Sequence, residues 1–489
     1  MTFELLTASF GNLQASSKNE IQPETAELRD KIAALDAELT EDFKTQFSIA
    51  PFLSRKIVSF QGNKGKPAYS WYKYKEAFSA EFVEYFLGNY ASRMSGRVLD
   101  PFAGIGTTLF AASAQGIPAD GIELLPVGQE IMRARLLSER ELTSNDIATL
   151  EHWMKSLPWR GFSEKVPFST IRITENAYPP ETVEAIEQYR GALQQENGKI
   201  QAILRLALLC ILESVSYTRK DGQYLRWDAR SGKQRPGTKA FNKGEILNFD
   251  AAITVKLKEI LSDIRDVQMP VTFSPVKPTM ADIRLFEGSC LEVLPSFETA
   301  TYGAVMTSPP YCNRYDYTRT YALELTMLEL TQAEVFHLRQ QMLSCTVENR
   351  EKDLLTIRPQ WEPFIEVANQ QKLLAAINVY LQHEKDSGTL NNSGIPRMVR
   401  GYFSEMACVI GECARILKPN ARLFMVNDNV RYAGVGISVD MILSDIARSL
   451  GFEIERILVV PAKKGNSSQQ MGTYGRVPLR KCVYIWRKR

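Results

Sequence analysis

The chain has 489 residues, 44% of them hydrophobic, which allows a large buried core and two or three structural units and excludes a disordered protein. Its formal net charge is only +3, from 59 Lys and Arg against 56 Asp and Glu, so any affinity for nucleic acid has to come from local basic patches. The sequence shows no basic leader and no apolar run of about 18 residues, so we expect a cytoplasmic protein without a membrane helix.

Cysteine and histidine are placed too sparsely for a metal or disulfide site. The cysteines include no CxxC pair, and the three histidines, His152, His337 and His383, lie far apart in the sequence. This spacing predicts neither a disulfide framework nor a zinc site. It also weakens any mechanism that needs a histidine beside a nucleophile, so we expect chemistry without a metal ion.

The first predicted element is an amphipathic helix over Pro23 to Phe43, in which apolar residues recur at helical spacing behind an N-terminal proline. We assign it to an N-terminal helical extension. Packing on the core is its expected role, and docking or dimerisation is the alternative.

The next two segments together predict a nucleotide-binding site. The stretch RVLDPFAGIGTTLFAASA indicates a strand ending in Asp100, a loop with Gly104 and Gly106, and a helix, and the stretch ADGIE indicates a second strand ending in Glu123. A third glycine and a GK[ST] motif are missing, which argues against NAD and ATP. The remaining common adenosine ligand is S-adenosylmethionine, with Asp100 toward its ammonium group and Glu123 toward its ribose.

A basic and aromatic stretch follows at Ser216 to Lys243, behind an apolar stretch, Ile200 to Val215, that we expect to be a buried helix. Cations that bind phosphates and aromatic rings that stack on bases predict a nucleic-acid-binding loop, with a solvated basic loop as the alternative. The acid-free tail from Pro461 is a second candidate for contact with a nucleic-acid backbone. The candidate DNA-binding residues are Arg219, Lys220, Arg226, Trp227, Arg230, Lys233 and Arg235.

The stretch YGAVMT predicts a short buried strand, and the turn Ser308-Pro309-Pro310-Tyr311 follows at its carboxyl end, where open α/β sheets bind ligands. Two consecutive prolines fix φ and remove two N–H donors, which leaves carbonyl groups free to accept hydrogen bonds. An ordinary proline turn is the alternative.

This turn resembles one that serves methyl transfer to an exocyclic amine of a base, which is a poor nucleophile because its lone pair is delocalised into the ring. We expect the Ser308 hydroxyl and the Pro309 carbonyl to accept the N–H groups of the amine, and Tyr311 to stack on the flipped base. Transfer would be a direct displacement, so Cys312 is expected to be structural and not a covalent nucleophile.

The paired stretches DPFAGIGTT and SPPY resemble the amino-methylating DNA methyltransferases. The resemblance extends to Lys73–Leu87, similar to the family's segment that closes over the methionine end of the cofactor, and to Ile283–Phe297, similar to the strand and turn that face the adenine. With the last strands it covers about half the chain. It implies an α/β, Rossmann-like fold of S-adenosylmethionine-dependent methyltransferases, with a mostly parallel sheet and a helical insertion.

The resemblance also implies which residues form the sites, with Ser289 standing where the family usually has an acid. The implied cofactor residues are Tyr74, Phe78, Ser79, Asp100, Pro101, Phe102, Gly104, Gly106, Thr107, Thr108, Glu123, Ser289 and Cys290. The implied catalytic residues are Ser308, Pro309, Pro310 and Tyr311.

Serine at the head of the turn resembles the version that makes N4-methylcytosine, whereas relatives that act on adenine mostly carry aspartate. We therefore expect methylation of cytosine N4 in double-stranded DNA, in a restriction-modification or defence setting. Adenine N6, an amino group of an RNA base and an inactive nucleic-acid-binding subunit are the alternatives, and the intact motifs argue against the last. A cognate restriction endonuclease and a homodimer stay open as partners.

The cofactor segments come first and the catalytic turn comes late, which predicts a core interrupted by two insertions. The expected division is an N-terminal helical extension at 1–50, the cofactor-binding part of the core at 51–126, a helical and basic insertion for target recognition at 127–282, the catalytic part of the core at 283–329, a second insertion at 330–399, and the C-terminal part of the core at 400–489.

Overall fold

An eight-stranded sheet forms the centre of the computed structural model, which describes residues 23–90, 95–221, 224–233, 240–268, 280–461 and 479–489. The described strands are β1 (Phe47–Ile49), β2 (Arg97–Asp100), β3 (Ala119–Glu123), β4 (Thr218–Asp221), β5 (Tyr224–Trp227), β6 (Ile283–Glu287), β7 (Tyr302–Thr307), β8 (Leu417–Asp428), β9 (Val430–Tyr432), β10 (Val435–Ile437), β11 (Phe452–Val459) and β12 (Lys481–Lys488).

The strand order of the central sheet is β1-β11-β12-β8-β7-β2-β3-β6. β12 runs antiparallel to β11 and to β8, and the other neighbours pair in parallel. A mostly parallel sheet of this kind, closed by an antiparallel pair near the carboxyl terminus, is the predicted α/β, Rossmann-like methyltransferase fold, so the prediction of the fold class is confirmed.

Helices cover both faces of the sheet and build the two long insertions. The described α-helices are α1 (Pro23–Asp42), α2 (Ala80–Tyr90), α3 (Thr107–Ala114), α4 (Pro126–Arg140), α5 (Ser144–Ser156), α6 (Pro180–Leu193), α7 (Gly198–Ile211), α8 (Phe249–Gln268), α9 (Cys290–Val293), α10 (Tyr317–Thr320), α11 (Ala322–Met327), α12 (Gln332–Gln341), α13 (Leu354–Ile357), α14 (Glu362–Gln370), α15 (Lys372–Asp386), α16 (Ile395–Ile416) and α17 (Val439–Ser449).

The three strands that matter for the site are β2, β3 and β7. Every residue of β3 and β7 is buried, because strands of a parallel sheet are covered on both faces. β2 lies between β7 and β3, and all three run in the same direction. Their last residues, Asp100, Glu123 and Thr307, therefore share one edge of the sheet, as predicted from the sequence.

The first insertion contributes most of an apolar cluster that continues into the neighbouring core segments, for example at Tyr74 and Tyr321. Trp153, Trp159 and Tyr189 are almost fully buried in it and pack on one another, with ring centroids 5.1 to 5.7 Å apart. α7 passes through this core with most of its apolar residues buried, which confirms the predicted buried helix before the basic stretch. The basic stretch begins with the hairpin β4–β5.

The N-terminal helix α1 packs on the second insertion and the C-terminal part of the core. The Arg29 guanidinium donates to the Tyr380 hydroxyl at 3.0 Å, and the Ser438 hydroxyl donates to the Asp36 carboxylate at 2.5 Å. These contacts support packing on the core over the docking alternative.

Across the described ranges, every helix is too short or too polar to cross a membrane. Two predicted features, Arg235 and the part of the acid-free tail at 462–478, lie outside the described residues.

Candidate functional site

Two cavities lie side by side at the carboxyl edge of β2, β3 and β7. The first has a volume of about 770 Å³ and the second a volume of about 600 Å³. They meet at the proline turn after β7, because some residues line both of them. The residues common to the two linings are Glu76, Ala77, Ser308 and Tyr317.

Most of the predicted cofactor residues line the first cavity, which also includes parts of α12 and the loop after it that the sequence did not indicate, at 341–343. The predicted residues in its lining are Tyr74, Phe78, Asp100, Pro101, Phe102, Gly104, Thr107, Glu123, Ser289 and Cys290.

Three predicted cofactor residues do not line this cavity but support it from behind. Ser79 is fully buried and its hydroxyl donates to the Ile57 carbonyl at 2.8 Å. Thr108 donates its hydroxyl to Asp100 at 2.7 Å. Gly106 precedes α3 with a φ of +80°, and a Cβ there would come within 2.9 Å of Met132. The positive φ and the close Met132 side chain both favour glycine at this position, whether or not a ligand approaches it.

Asp100 connects the glycine loop to the Ser308–Tyr311 turn after β7. One carboxylate oxygen accepts from the Thr307 hydroxyl at 2.7 Å and from the Phe102 amide at 3.0 Å, and the other accepts from the Thr108 hydroxyl. Burial raises the pKa of Asp100 to about 6, although these hydrogen bonds lower it. The acid is thus held in one orientation at the floor of the first cavity.

Glu123 closes the glycine loop from the opposite side. Its two carboxylate oxygens accept from the Gly104 amide and the Leu125 amide, each at 2.6 Å. Burial raises its pKa to about 8 in spite of these two donors. The carboxyl oxygens of Glu123 have lone pairs left after these two bonds, so the side chain can still accept from the hydroxyls of a ribose.

The first cavity fits an adenosine ligand with a polar tail. The hydroxyl oxygen of Thr107 is buried and has no hydrogen-bond partner in the described part of the chain, although it lies at the cavity wall. Such an orphaned group is satisfied when a polar ligand enters. Ser289, by contrast, already donates its hydroxyl to the Gln341 carbonyl at 3.0 Å, so its role is to join the lining to α12.

The turn Ser308-Pro309-Pro310-Tyr311 separates the two cavities. Pro310 lines the first cavity, whereas Pro309 and Tyr311 line the second. The Ser308 hydroxyl donates to the Val426 carbonyl at 3.2 Å and lies 3.1 Å from the Tyr311 hydroxyl. Cys312 is fully buried, and burial raises the pKa of its thiol, as expected for a structural cysteine.

The second cavity contains an ion pair that the sequence did not indicate. Lys481 and Asp428 line it, with the ammonium nitrogen 3.3 Å from the carboxylate oxygen. The ammonium group also donates to the Tyr311 hydroxyl at 3.1 Å. The Tyr315 hydroxyl, in the same lining, is buried. The lining of this cavity therefore combines charged side chains with tyrosine rings.

The basic hairpin β4–β5 adjoins the second cavity, because the ammonium group of Lys75 in the cavity lining donates to the Lys220 carbonyl. Arg219 and Arg226 are paired across the hairpin and exposed. Arg226 lies over the Phe241 ring with its guanidinium carbon 4.1 Å from the ring centroid. In the loop that follows, Lys233 lies over the Trp227 ring at 4.6 Å.

Three predicted DNA-binding residues form ion pairs within the protein: Lys220 is buried, whereas Arg226, which pairs with Asp221 at 3.1 Å, and Arg230 are exposed. The Lys220 ammonium is buried and forms an ion pair with Glu324 at 2.5 Å, where it also donates to the Tyr72 hydroxyl. Arg230 donates two hydrogen bonds to Asp228, at 2.7 and 2.9 Å. Lys220 is therefore corrected from a phosphate ligand to a buried structural cation, and Arg230 holds the loop after the hairpin.

Comparison with known proteins places the chain in a family. A protein named type II methyltransferase M.AvaI from Nostoc sp. is 51% identical over 469 residues, which are 96% of this chain and 96% of the relative, and the same figures apply to M.AvaI from Anabaena variabilis. Type II methyltransferase M.BsoBI from Geobacillus stearothermophilus is 36% identical over 499 residues, 97% of this chain and 94% of the relative. The chain belongs to the type II methyltransferase family.

A search against protein-family models found no match for the chain.

We expect Glu123→Gln to remove a pH dependence of stability. An acid whose pKa is raised on folding, here from 4.5 to about 8, binds its proton more tightly in the folded chain, so its contribution to stability is present below about pH 4.5 and is lost as the pH rises toward 8. Between about pH 6 and 8 the wild type should lose up to ~1.4 kcal/mol of unfolding free energy per pH unit relative to the variant. Urea unfolding at several pH values measures this.

The control for that experiment is Glu41→Gln, which removes an exposed acid on α1 that forms an ion pair with Lys44. Unfolding free energies that stay parallel for the wild type and the Glu123→Gln variant over this pH range would contradict the raised pKa.

We expect Gly104→Ala to weaken cofactor binding about tenfold or more. Gly104 has a φ of +57°, and a Cβ there would lie 3.1 Å from the Tyr74 ring, which lines the first cavity. Gly65→Ala is the matched control, since Gly65 also has a positive φ, of +78°, but no atom within 4 Å of the added methyl group. Calorimetry with S-adenosylmethionine measures the affinity, and an unchanged affinity in a folded Gly104→Ala protein would remove the glycine from the site.

We expect the double variant Arg219→Ala, Arg226→Ala to bind DNA more weakly and to reduce the slope of log Kd against log salt concentration by about 2, because each phosphate contact contributes about 0.9. Lys220→Met is the contrasting variant. It should keep the salt slope but lose about 3 to 5 kcal/mol of stability, because it leaves the Glu324 carboxylate buried without its cation. A double variant with the parental slope would show that the hairpin does not contact phosphates.

Proposed function

We propose that the protein transfers a methyl group from S-adenosylmethionine to the exocyclic N4 of a cytosine in double-stranded DNA, as the modification enzyme of a restriction-modification system. The observation that carries this proposal is the position of Ser308, which lines both cavities at once. A residue in this position contacts a methyl donor on one side and a methyl acceptor on the other. The three relatives, each named a type II methyltransferase, support methyl transfer, and the choice of cytosine N4 rests on the residue at position 308.

The first cavity is the proposed donor site. Glu123 would accept from the ribose hydroxyls, Asp100 from the ammonium group, and the orphaned Thr107 hydroxyl would donate to the carboxylate. S-adenosylmethionine supplies the electrophilic methyl group when it is bound there. The buried carboxylates and the apolar walls exclude water from this end of the site.

The second cavity is the proposed site of the target base. Ser308 and the backbone carbonyl of Pro309 would accept the two N–H groups of the amine, which shifts the nitrogen toward tetrahedral geometry and frees its lone pair. Tyr311 would contact the ring of the base from the same turn. A base can enter such an enclosed site only after it leaves the duplex, so base flipping is part of the proposal.

The hairpin β4–β5 is the proposed contact with the DNA backbone, because it adjoins the second cavity and presents Arg219 and Arg226 to solvent. The first insertion, 127–282, would then carry target recognition, as its position in the chain suggests. A cognate restriction endonuclease is the partner expected from the type II setting of the relatives.

Cytosine is favoured over adenine by the residue at position 308. A serine hydroxyl is a neutral and weaker acceptor than the aspartate that adenine-modifying relatives mostly carry, and it suffices for the smaller ring. Adenine N6 presents the same kind of amine and is the second candidate for the same turn.

We expect unmodified double-stranded DNA incubated with the protein and labelled S-adenosylmethionine to yield labelled N4-methylcytosine, measured by nucleoside mass spectrometry. Ser308→Ala should lower kcat by at least about 10²-fold, because it removes one acceptor for the amine. Ser296→Ala, an exposed serine outside both cavities, should leave kcat unchanged.

Label in N6-methyladenine would contradict the choice of base and leave the mechanism standing. Label found only in RNA, or full activity of Ser308→Ala, would contradict the proposed role of the turn.

A further inference from the structure

A chain of hydrogen bonds leads from Lys481 to the backbone of β8 through the catalytic turn. The Lys481 ammonium donates to the Tyr311 hydroxyl at 3.1 Å, the Tyr311 and Ser308 hydroxyls lie 3.1 Å apart, and the Ser308 hydroxyl donates to the Val426 carbonyl at 3.2 Å. The proposed function assigns no part to Lys481.

The direction of this chain is fixed at both ends. A backbone carbonyl has no hydrogen to give, so the single hydrogen of the Ser308 hydroxyl points to Val426. Ser308 therefore cannot donate to Tyr311, and the hydrogen between these two hydroxyls has to come from Tyr311. The ammonium group of Lys481 has no lone pair, so it can only donate to the Tyr311 oxygen.

These hydrogen-bond directions leave the Ser308 oxygen able to accept from the substrate amine and unable to donate to it. The Ser308 hydroxyl donates its hydrogen to the Val426 carbonyl, and one of its lone pairs accepts from Tyr311. The second lone pair is left to accept from a donor such as an amine N–H. A serine hydroxyl is able to donate as well as accept, unlike a carboxylate. A serine at this position therefore needs neighbours that hold its hydrogen away from the amine.

The charge state of both neighbours is suited to this role. Burial lowers the pKa of Lys481, but the Asp428 carboxylate and Tyr311 raise it above its usual value, so the ammonium form persists. Burial raises the pKa of Tyr311, although Lys481 lowers it, so the tyrosine keeps its hydrogen. The donors of the chain thus stay donors at neutral pH.

We propose that Lys481 is a positioning residue for methyl transfer, which acts through Tyr311 to keep the Ser308 hydroxyl as an acceptor for the substrate amine. This inference rests on the proposed function, because it presupposes that Ser308 binds an amine. It adds Lys481, the first residue of β12, to the residues that take part in methyl transfer.

The first test compares Lys481→Met with Lys481→Arg. Met removes the donor and keeps much of the volume, so it should lower kcat about tenfold to a hundredfold, while the affinity for S-adenosylmethionine and the KM for DNA change little. Arg is a donor without an acceptor, like Lys, so it should retain most of kcat. Lys488→Met, at the other end of β12, is the control and should keep the parental kcat.

The second test measures coupling. Tyr311→Phe keeps the ring and breaks the chain, so it should lower kcat to a similar extent as Lys481→Met, and the double variant should be no slower than the slower single variant. Effects that multiply in the double variant would show that the two residues act independently, which would overturn the proposal. A parental kcat for either single variant would overturn it as well.

A third variant separates positioning from charge balance. Lys481→Met leaves Asp428 without its cation, so Asp428→Asn is added to remove that charge. The combined variant should stay as slow as Lys481→Met, and recovery of the parental kcat would assign the loss to the unpaired carboxylate and overturn the proposal. If Lys481→Met fails to fold in thermal unfolding, the Arg variant and Tyr311→Phe decide by the same criteria.

The outcomes also distinguish this inference from the function on which it rests. A wild type that transfers no label to an amino group of DNA would refute the proposed function. An active wild type whose Lys481→Met and Tyr311→Phe variants keep the parental kcat would refute the positioning role alone.

Discussion

The hydrogen bond from the Thr307 hydroxyl to the Asp100 carboxylate is the contact on which the geometry of the site depends. Asp100 ends β2 and begins the glycine loop, whereas Thr307 ends β7 and begins the catalytic turn. The same carboxylate accepts from Thr108 at the start of α3, so one buried acid holds two loops and a helix in a fixed relation. The distance between the two cavities is therefore set by neighbouring parallel strands and one shared acceptor, and not by the loops themselves.

The direction of β12 explains why a lysine from the end of the chain lies beside the Ser308–Tyr311 turn. β12 is antiparallel to β8, so its first residue, Lys481, is paired with the last residue of β8, Asp428. Both therefore lie at the carboxyl edge of the parallel strands, next to the turn that follows β7. An additional parallel strand would have placed its first residue at the opposite edge of the sheet. Because β12 is antiparallel, its first residue, Lys481, lies at the carboxyl edge of the sheet. If β12 were parallel, its last residue would lie there instead.

Local patterns in the sequence predict the strands that end in Asp100, Glu123 and Thr307, because glycines, prolines and short apolar runs determine backbone conformation within a few residues. The partners of charged side chains are not predictable in this way. Lys220 stands in a basic stretch and is buried against Glu324, which lies about a hundred residues later in the chain. Lys481 and Asp428 belong to the same class, since strand register brings them together and no motif includes both. A strand that ends in an acid, as β8 does, was the one signal available for this pair.

The first cavity is built at a cost to the stability of the free protein. Burial without full compensation raises the pKa values of Asp100 to about 6 and of Glu123 to about 8, and it leaves the Thr107 hydroxyl without a partner among the described residues. A core that served folding alone would fill this space with apolar side chains. Under the proposed function, the remaining hydrogen-bonding capacity of these groups would be used by a ligand, and the same reasoning applies to the serine of the turn. Ser308 has one lone pair left after its protein contacts are made, and that remaining capacity is what the substrate amine would use.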